Sequence, residues 1–241
     1  MAEAFFWGIL ASSSLIIGGV IALRVDVGRR PLGLVMGFGS GVLISAVSYE
    51  LVQEASDTSA GSGGVAFGLL AGCATFFVGD TLIDRMGGDE RKAGAEGGES
   101  PLAIVLGIVL DGIPESVVLG LTVLKGGSVS AAFLVAVLLS NLPEAIAAST
   151  GLEAGGWARR RIIGLWVIVT LACGVASLAG YGLFDTASPS TVAFVLAFAG
   201  GAILTMLADT MMPEAFEHGG KLVGVFTTLG FALAFAISAL E

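Results

Sequence analysis

Hydrophobic and polar positions in this chain fall into long blocks rather than short alternations. Apolar runs occupy roughly 4–23, 31–54, 63–84, 101–124, 127–150, 160–184, 190–215 and 220–240. Crossing the hydrocarbon layer takes about 20 helical residues, and each run is long enough. The pattern predicts an all-α membrane protein, with eight transmembrane helices in one transmembrane domain over residues 1–241. Composition agrees: 55% of residues are hydrophobic and 13% charged, against about 25% charged in ordinary soluble domains. The net charge of −9 speaks against nucleic acid as a partner; the lipid bilayer is the partner the runs imply.

The cations give the runs a direction. Arg24, Arg29 and Arg30 follow the first run, Arg85, Arg91 and Lys92 the third, while Arg159, Arg160 and Arg161 stand at the start of the sixth and Lys221 at the start of the eighth. The intervening loops carry only Lys125. The positive-inside bias places the first set in the cytoplasm and both termini outside. The opening MAEAFFWGILASSSLIIGGVIAL has Glu3 and no cation ahead of its apolar run. A cleaved signal peptide carries a basic leading region, so this stretch reads as a retained helix. Cys73 and Cys173 both fall inside runs and read as small core residues.

Two internal similarities stand out. FGSGVLISAVSYELVQEA (38–55) and FAGGAILTMLADTMMPEA (198–215) align without gaps at an offset of 160, pairing Phe38 with Phe198, Gly41 with Gly201 and Glu54 with Glu214. The loop charges run the two segments in opposite directions, the pattern of an inverted-topology repeat. LDGIPESVVLGL (110–121) and LSNLPEAIAAST (139–150) form a second pair, Pro114-Glu115 against Pro143-Glu144 at an offset of 29. The expected arrangement is three helices, a central pair and three helices. In such folds the binding site lies near the midplane, where the halves meet.

The central pair carries the chemistry. A carboxylate at the bilayer centre costs about 2.5–3.5 kcal/mol on insertion scales, and a proline removes one helical hydrogen bond. Pro114 leaves the carbonyl of Leu110 without its donor and Pro143 that of Leu139, so breaks exposing oxygen ligands are expected at both. Asp111 and Glu115 are four residues apart, hence on one helix face; Ser140 and Glu144 share that spacing, with Asn141 beside them. Apart from Arg160, Arg161 and Lys221 at run ends, no Lys or Arg lies in any run to pair with Asp111, Glu115 or Glu144. That leaves protonation, hydrogen bonding or a bound cation.

The segments DGIPES, SNLPEA, YELVQEA and DTMMPEA, with the count of eight helices, resemble the ZIP family of zinc- and iron-regulated transporter-like proteins along essentially the whole chain. The resemblance implies a metal site built on the fourth and fifth helices. Asp111 stands at the position of that family's first-motif histidine, Gly112 at its asparagine and Glu115 at its glutamate. Ser140 replaces the second-motif histidine, Asn141 holds the next ligand position and Glu144 is the glutamate. The chain departs as a divergent, prokaryotic-type member lacking the motif histidines. Its sixth helix also lacks the glutamate that many relatives use, and the loop at 85–100 has no histidine tract. One all-oxygen site is therefore the expectation rather than a binuclear centre. The implied cargo is a divalent cation, zinc, iron, manganese or cadmium; carboxylate ligands suit harder ions such as Mn²⁺. No organic cofactor is implied. The resemblance further implies import toward the cytoplasm across a prokaryotic inner membrane.

Further carboxylates flank the repeats. Glu50 and Glu54 lie at the outer end of the second run; Asp209, Glu214, Glu217 and the single histidine, His218, lie at or after the inner end of the seventh. They read as entry and exit relays, or as ordinary solvated helix ends, with His218 a loop residue. A homodimer through the glycine-rich third and eighth helices is open to the chain, and packing within one bundle accounts for those glycines equally well. The alternative functions are a proton-coupled carrier of another substrate and a non-transporting metal sensor. An intramembrane enzyme is disfavoured, because one histidine supports neither a Ser-His nor an HExxH arrangement.

Overall fold

The computed structural model describes residues 1–59, 62–85, 101–126 and 129–240. The loop at 86–100, with Arg91 and Lys92, and the first two residues of the expected fifth span lie outside the described residues. Among the described residues eight helices follow one another: α1 (Ala2–Ala22), α2 (Arg29–Thr58), α3 (Ser62–Ile83), α4 (Pro101–Gly126), α5 (Ala131–Ala154), α6 (Arg159–Phe184), α7 (Pro189–Gly219) and α8 (Leu222–Ser238). No strand occurs among the described residues. The first seven are long and apolar enough to span a membrane; α8 is apolar over 17 residues, about 26 Å at 1.5 Å per residue. The chain is thus an all-helical, integral membrane protein.

Local chemistry sets the helix starts and stops. Ser130 caps α5, its Oγ accepting the backbone N–H of Phe133 at 3.1 Å. Ser188 caps α7 in the same way through Thr191, with Pro189 in the first turn, where a missing N–H costs nothing. Gly220, at φ 64°, ends α7 and turns the chain into α8. These signals correct several expected boundaries. The second helix runs over Arg29–Thr58 instead of 31–54, the fifth over Ala131–Ala154 instead of 127–150, and the seventh over Pro189–Gly219 instead of 190–215. Hydropathy stops at the first charge, whereas a helix continues until a cap or a turn residue ends it.

The expected proline breaks are absent: α4 is helical through Pro114 and α5 through Pro143. One lost hydrogen bond is tolerated in a long membrane helix when neighbours close over the freed carbonyl. At Leu139 the neighbour is Gly39 of α2, packed so near that a Cβ there would stand 3.1 Å from the carbonyl oxygen. Two other stretches leave α-helical geometry without ending the helix. Val47–Gln53 in α2 and Leu207–Met211 in α7 are π-helical, a form found mostly as single-turn bulges and often at functional sites.

The helices pack in two groups. In one, α1 lies against α5 and α6, and α4 against α6; in the other, α2 lies against α8 and α7, and α3 against α7. Contacts of α5 with α2 and of α4 with α7 join them. Glycines bring backbones together. Gly41 of α2 meets the Thr227 carbonyl of α8, while Gly230 of α8 meets the Phe38 carbonyl of α2. Gly72 of α3 meets the Phe198 carbonyl of α7, and Gly201 of α7 that of Leu69. Packing within one chain therefore accounts for Gly72 and Gly230, two of the glycines considered for a dimer interface. Cys173 is buried, as expected, but Cys73 is exposed on α3, because one face of that helix points outward.

Candidate functional site

A cavity of about 140 Å³ lies where α2, α4, α5 and α7 converge. From α4 it is lined by Ile108 and Asp111, and from α5 by Glu144, Ala147, Ala148, Thr150 and Gly151. The spacing of Glu144, Ala147, Ala148 and Gly151 is one stripe of a helix. Low residue numbers on α4 and high ones on α5 line the same space, so the two helices run past it in opposite directions. Val27 and Arg29 from the start of α2, and Glu214 and His218 from the last turns of α7, line it near the helix ends. These end residues form the mouth, and Met36, Met206, Asp111 and Glu144 lie deeper. From His218 back to Met206 is about 18 Å of helix, so the cavity penetrates well into the span.

The predicted site residues divide. Asp111 and Glu144 share the cavity, together with Glu214 and His218 from the predicted relays. Glu115 lies one turn beyond Asp111 on α4, 1% exposed and outside the lining; its Oε2 has no hydrogen-bond partner among the described residues. Ser140 lies one turn beyond Glu144 on α5, fully buried, and donates to the Val137 carbonyl at 3.1 Å. Asn141 is buried as well. The stripes Asp111–Glu115 and Ser140–Glu144 thus each have one end open to the cavity and one end sealed in protein.

The structure overturns two expectations. His218 is not a loop residue: it sits in the last turn of α7 and lines the mouth, its Nδ1 buried without a hydrogen-bond partner. Arg29, at the start of α2, lines the mouth of the same cavity that Asp111 and Glu144 line deeper. The carbonyl freed by Pro143 faces Gly39 rather than open space, so that proline supplies no exposed ligand.

The remaining candidates lie elsewhere. Glu50, within the π-helical stretch of α2, accepts a hydrogen bond from Ser238 Oγ on α8 at 2.7 Å. Glu54 accepts from Thr58 Oγ1 at 3.3 Å. Asp209 is outside the lining, and Glu217 is exposed. Sequence reasoning passed over Thr210, which lines the cavity with its Oγ1 buried and without a partner, and Thr150 near the mouth. It also passed over Asp80, 5% exposed on α3, although a carboxylate in the apolar run TFFVGDTLI was itself a signal.

On α4, Ser116 Oγ donates to the Gly112 carbonyl at 2.7 Å, and Cys173 Sγ of α6 approaches the same oxygen at 4.0 Å. This places the turn between Asp111 and Glu115 against α6. Among the described residues no three His, Cys, Asp or Glu side chains cluster closely enough to form a ready metal cage. The cavity instead spaces three carboxyl groups along a path, with one guanidinium and one imidazole toward its mouth. Such an arrangement concentrates cations and can pass protons between groups. No protein-family model matches the chain, and comparison with curated proteins finds no significant match.

Proposed function

We propose that this protein is a ZIP-like transporter that moves a divalent metal cation across the membrane toward the cytoplasm. One observation carries the reading: a single cavity runs from Glu214 of α7 at its mouth to Asp111 of α4 and Glu144 of α5 in the interior of the span. Glu115, with a buried carboxyl oxygen lacking a partner, lies just past its inner end. Charges at that depth are costly, and a cation passing between them offsets the cost. His218 and Glu214 line the mouth, on the side that the basic loops assign to the cytoplasm. In this conformation the path is open inward and closed beyond Asp111 and Glu144.

The fold is read as two inverted repeats, α1–α3 and α6–α8, around the central pair α4–α5. Three features support this. The π-helical stretches start at Val47 and Leu207, an offset of 160, the offset of the aligned segments. Gly41 and Gly201 are repeat partners, and each meets a carbonyl of the other half, Thr227 or Leu69. Phe38 and Phe198 are also partners, and each receives a glycine, Gly230 or Gly72. Alternating access would then follow from movement of the α1, α4, α5 and α6 group against the other.

The deciding experiment is uptake into proteoliposomes of the purified chain, comparing Mn²⁺, Zn²⁺, Fe²⁺, Cd²⁺, Mg²⁺ and Ca²⁺, with Asp111→Asn and Glu144→Gln alongside. Saturable uptake of one ion, lost in both variants, supports the importer. No uptake of any ion by folded, reconstituted protein refutes it. The lack of a three-ligand cluster among the described residues favours one rival, a carrier using these carboxyl groups as proton relays. That rival predicts proton movement without metal flux.

A further inference from the structure

A second recess lies outside the transport path, at the membrane-surface end of α1 and α6. It measures about 360 Å³ and is lined by Val20, Leu23, Arg24, Arg159, Arg160 and Ile163. Its composition is split: one side is apolar, and the other presents three guanidinium groups, Arg24 from the turn after α1 and Arg159 and Arg160 from the start of α6. We propose that this recess binds the phosphodiester headgroup of an anionic phospholipid, with one acyl chain lying along the groove between α1 and α6.

The electrostatics call for an anion. Arg159, Arg160 and Arg161 occupy the first turn of α6, the positive end of the helix dipole, where cations are unfavourable. Ala158 at the N-cap offers no side-chain acceptor, so the first N–H groups of the helix have no cap. One arginine is answered within the protein: Arg159 Nε donates to Glu153 Oε1 at 2.8 Å. Arg161 stacks on the Trp157 ring at 3.8 Å and is outside the recess lining. Arg24 and Arg160 make no ion pair among the described residues. Arginine's planar fork suits a phosphate, and two unpaired forks beside uncapped N–H groups form a site for one.

The apolar side argues for a lipid rather than a free phosphate. Below the arginines the recess continues on Val20, Leu23 and Ile163, and the outward-facing Ile17 and Val167 extend the same two helices toward the bilayer interior. A soluble anion gains nothing from that wall; an acyl chain does. Trp157 stands at the same end, where interfacial tryptophans settle at headgroup level.

The test is native mass spectrometry of the full chain in detergent, titrated with phosphatidylglycerol, with phosphatidylcholine or with inorganic phosphate. Phosphatidylglycerol should remain bound where phosphatidylcholine dissociates, and excess inorganic phosphate should not displace it. Arg24→Gln and Arg160→Gln should each weaken phosphatidylglycerol about fivefold, by the worth of one basic residue at an anionic surface. Arg30→Gln, a cation outside the recess, should not weaken it. Equal retention of the two lipids, equal loss in Arg30→Gln, or displacement by inorganic phosphate would each overturn the proposal. Unchanged thermal unfolding of the variants in phosphatidylcholine micelles separates lost binding from misfolding, and normal binding by a variant with shifted unfolding also counts against it.

Discussion

Asp111 on α4 and Glu144 on α5 open onto the same cavity, while their helical neighbours one turn away, Glu115 and Ser140, are sealed in protein. This cavity-facing pair is the deepest charge that the open path reaches. Asp111→Asn and Glu144→Gln keep shape and remove charge, so each should cut cation uptake at least about tenfold, the lower range for disturbing a metal's environment. Glu217→Gln, on the exposed side of α7, should transport normally. Initial uptake rates in proteoliposomes, with matched protein incorporation, measure both effects.

The mouth of the cavity assigns Thr150 and His218 to one face of the membrane and Asp57, near the far end of α2, to the other. In a background with Cys73→Ala, single cysteines at 150 and 218 should react with a membrane-impermeant thiol reagent from one side only. A cysteine at 57 should react only from the opposite side. Labelling of 150 and 57 from the same side is incompatible with the helix directions described above.

Close backbone contacts at glycine make a graded prediction for stability. Gly41→Val and Gly72→Val would drive side chains into the Thr227 and Phe198 carbonyls; overpacking of that kind costs about 1–3 kcal/mol. Gly164 of α6 has nothing within 4 Å of an added Cβ. Gly164→Ala should therefore hold stability or raise it by up to about 1 kcal/mol, the difference in helix propensity. Thermal unfolding in one detergent ranks the three.

Ser149 of α5 accepts the indole N–H of Trp166 on α6 at 2.8 Å in a buried site. Gly19 of α1 lies so close to that ring that no side chain fits between them. Ser149→Ala removes the acceptor and leaves the N–H buried, a loss of about 1 kcal/mol. Tryptophan fluorescence followed through denaturant titration reads the shift, and no change in midpoint would show the bond to be dispensable.

How legible the molecule was differs from residue to residue. Ser130, Ser188 and Gly220 marked helix ends through their own chemistry, and the boundaries drawn from hydropathy missed them because apolarity does not say where a backbone stops being helical. Pro114 and Pro143 promised breaks, yet both helices continue. A lost hydrogen bond is a local deficit, and whether it breaks a helix depends on what packs beside it; at Leu139 that is Gly39.

By itself the sequence determined the membrane spans and the presence of carboxylates within them, because length, apolarity and buried charge are properties of a segment alone. It also singled out Asp111 and Glu144. Only the tertiary structure decided that these two share a cavity with Arg29, Thr210, Glu214 and His218, while Glu115, Ser140 and Asn141 are closed off. A cavity wall is assembled from the facing stripes of four helices. Which stripes face inward follows from how α2, α4, α5 and α7 are rotated and packed against each other, and no single segment encodes that rotation.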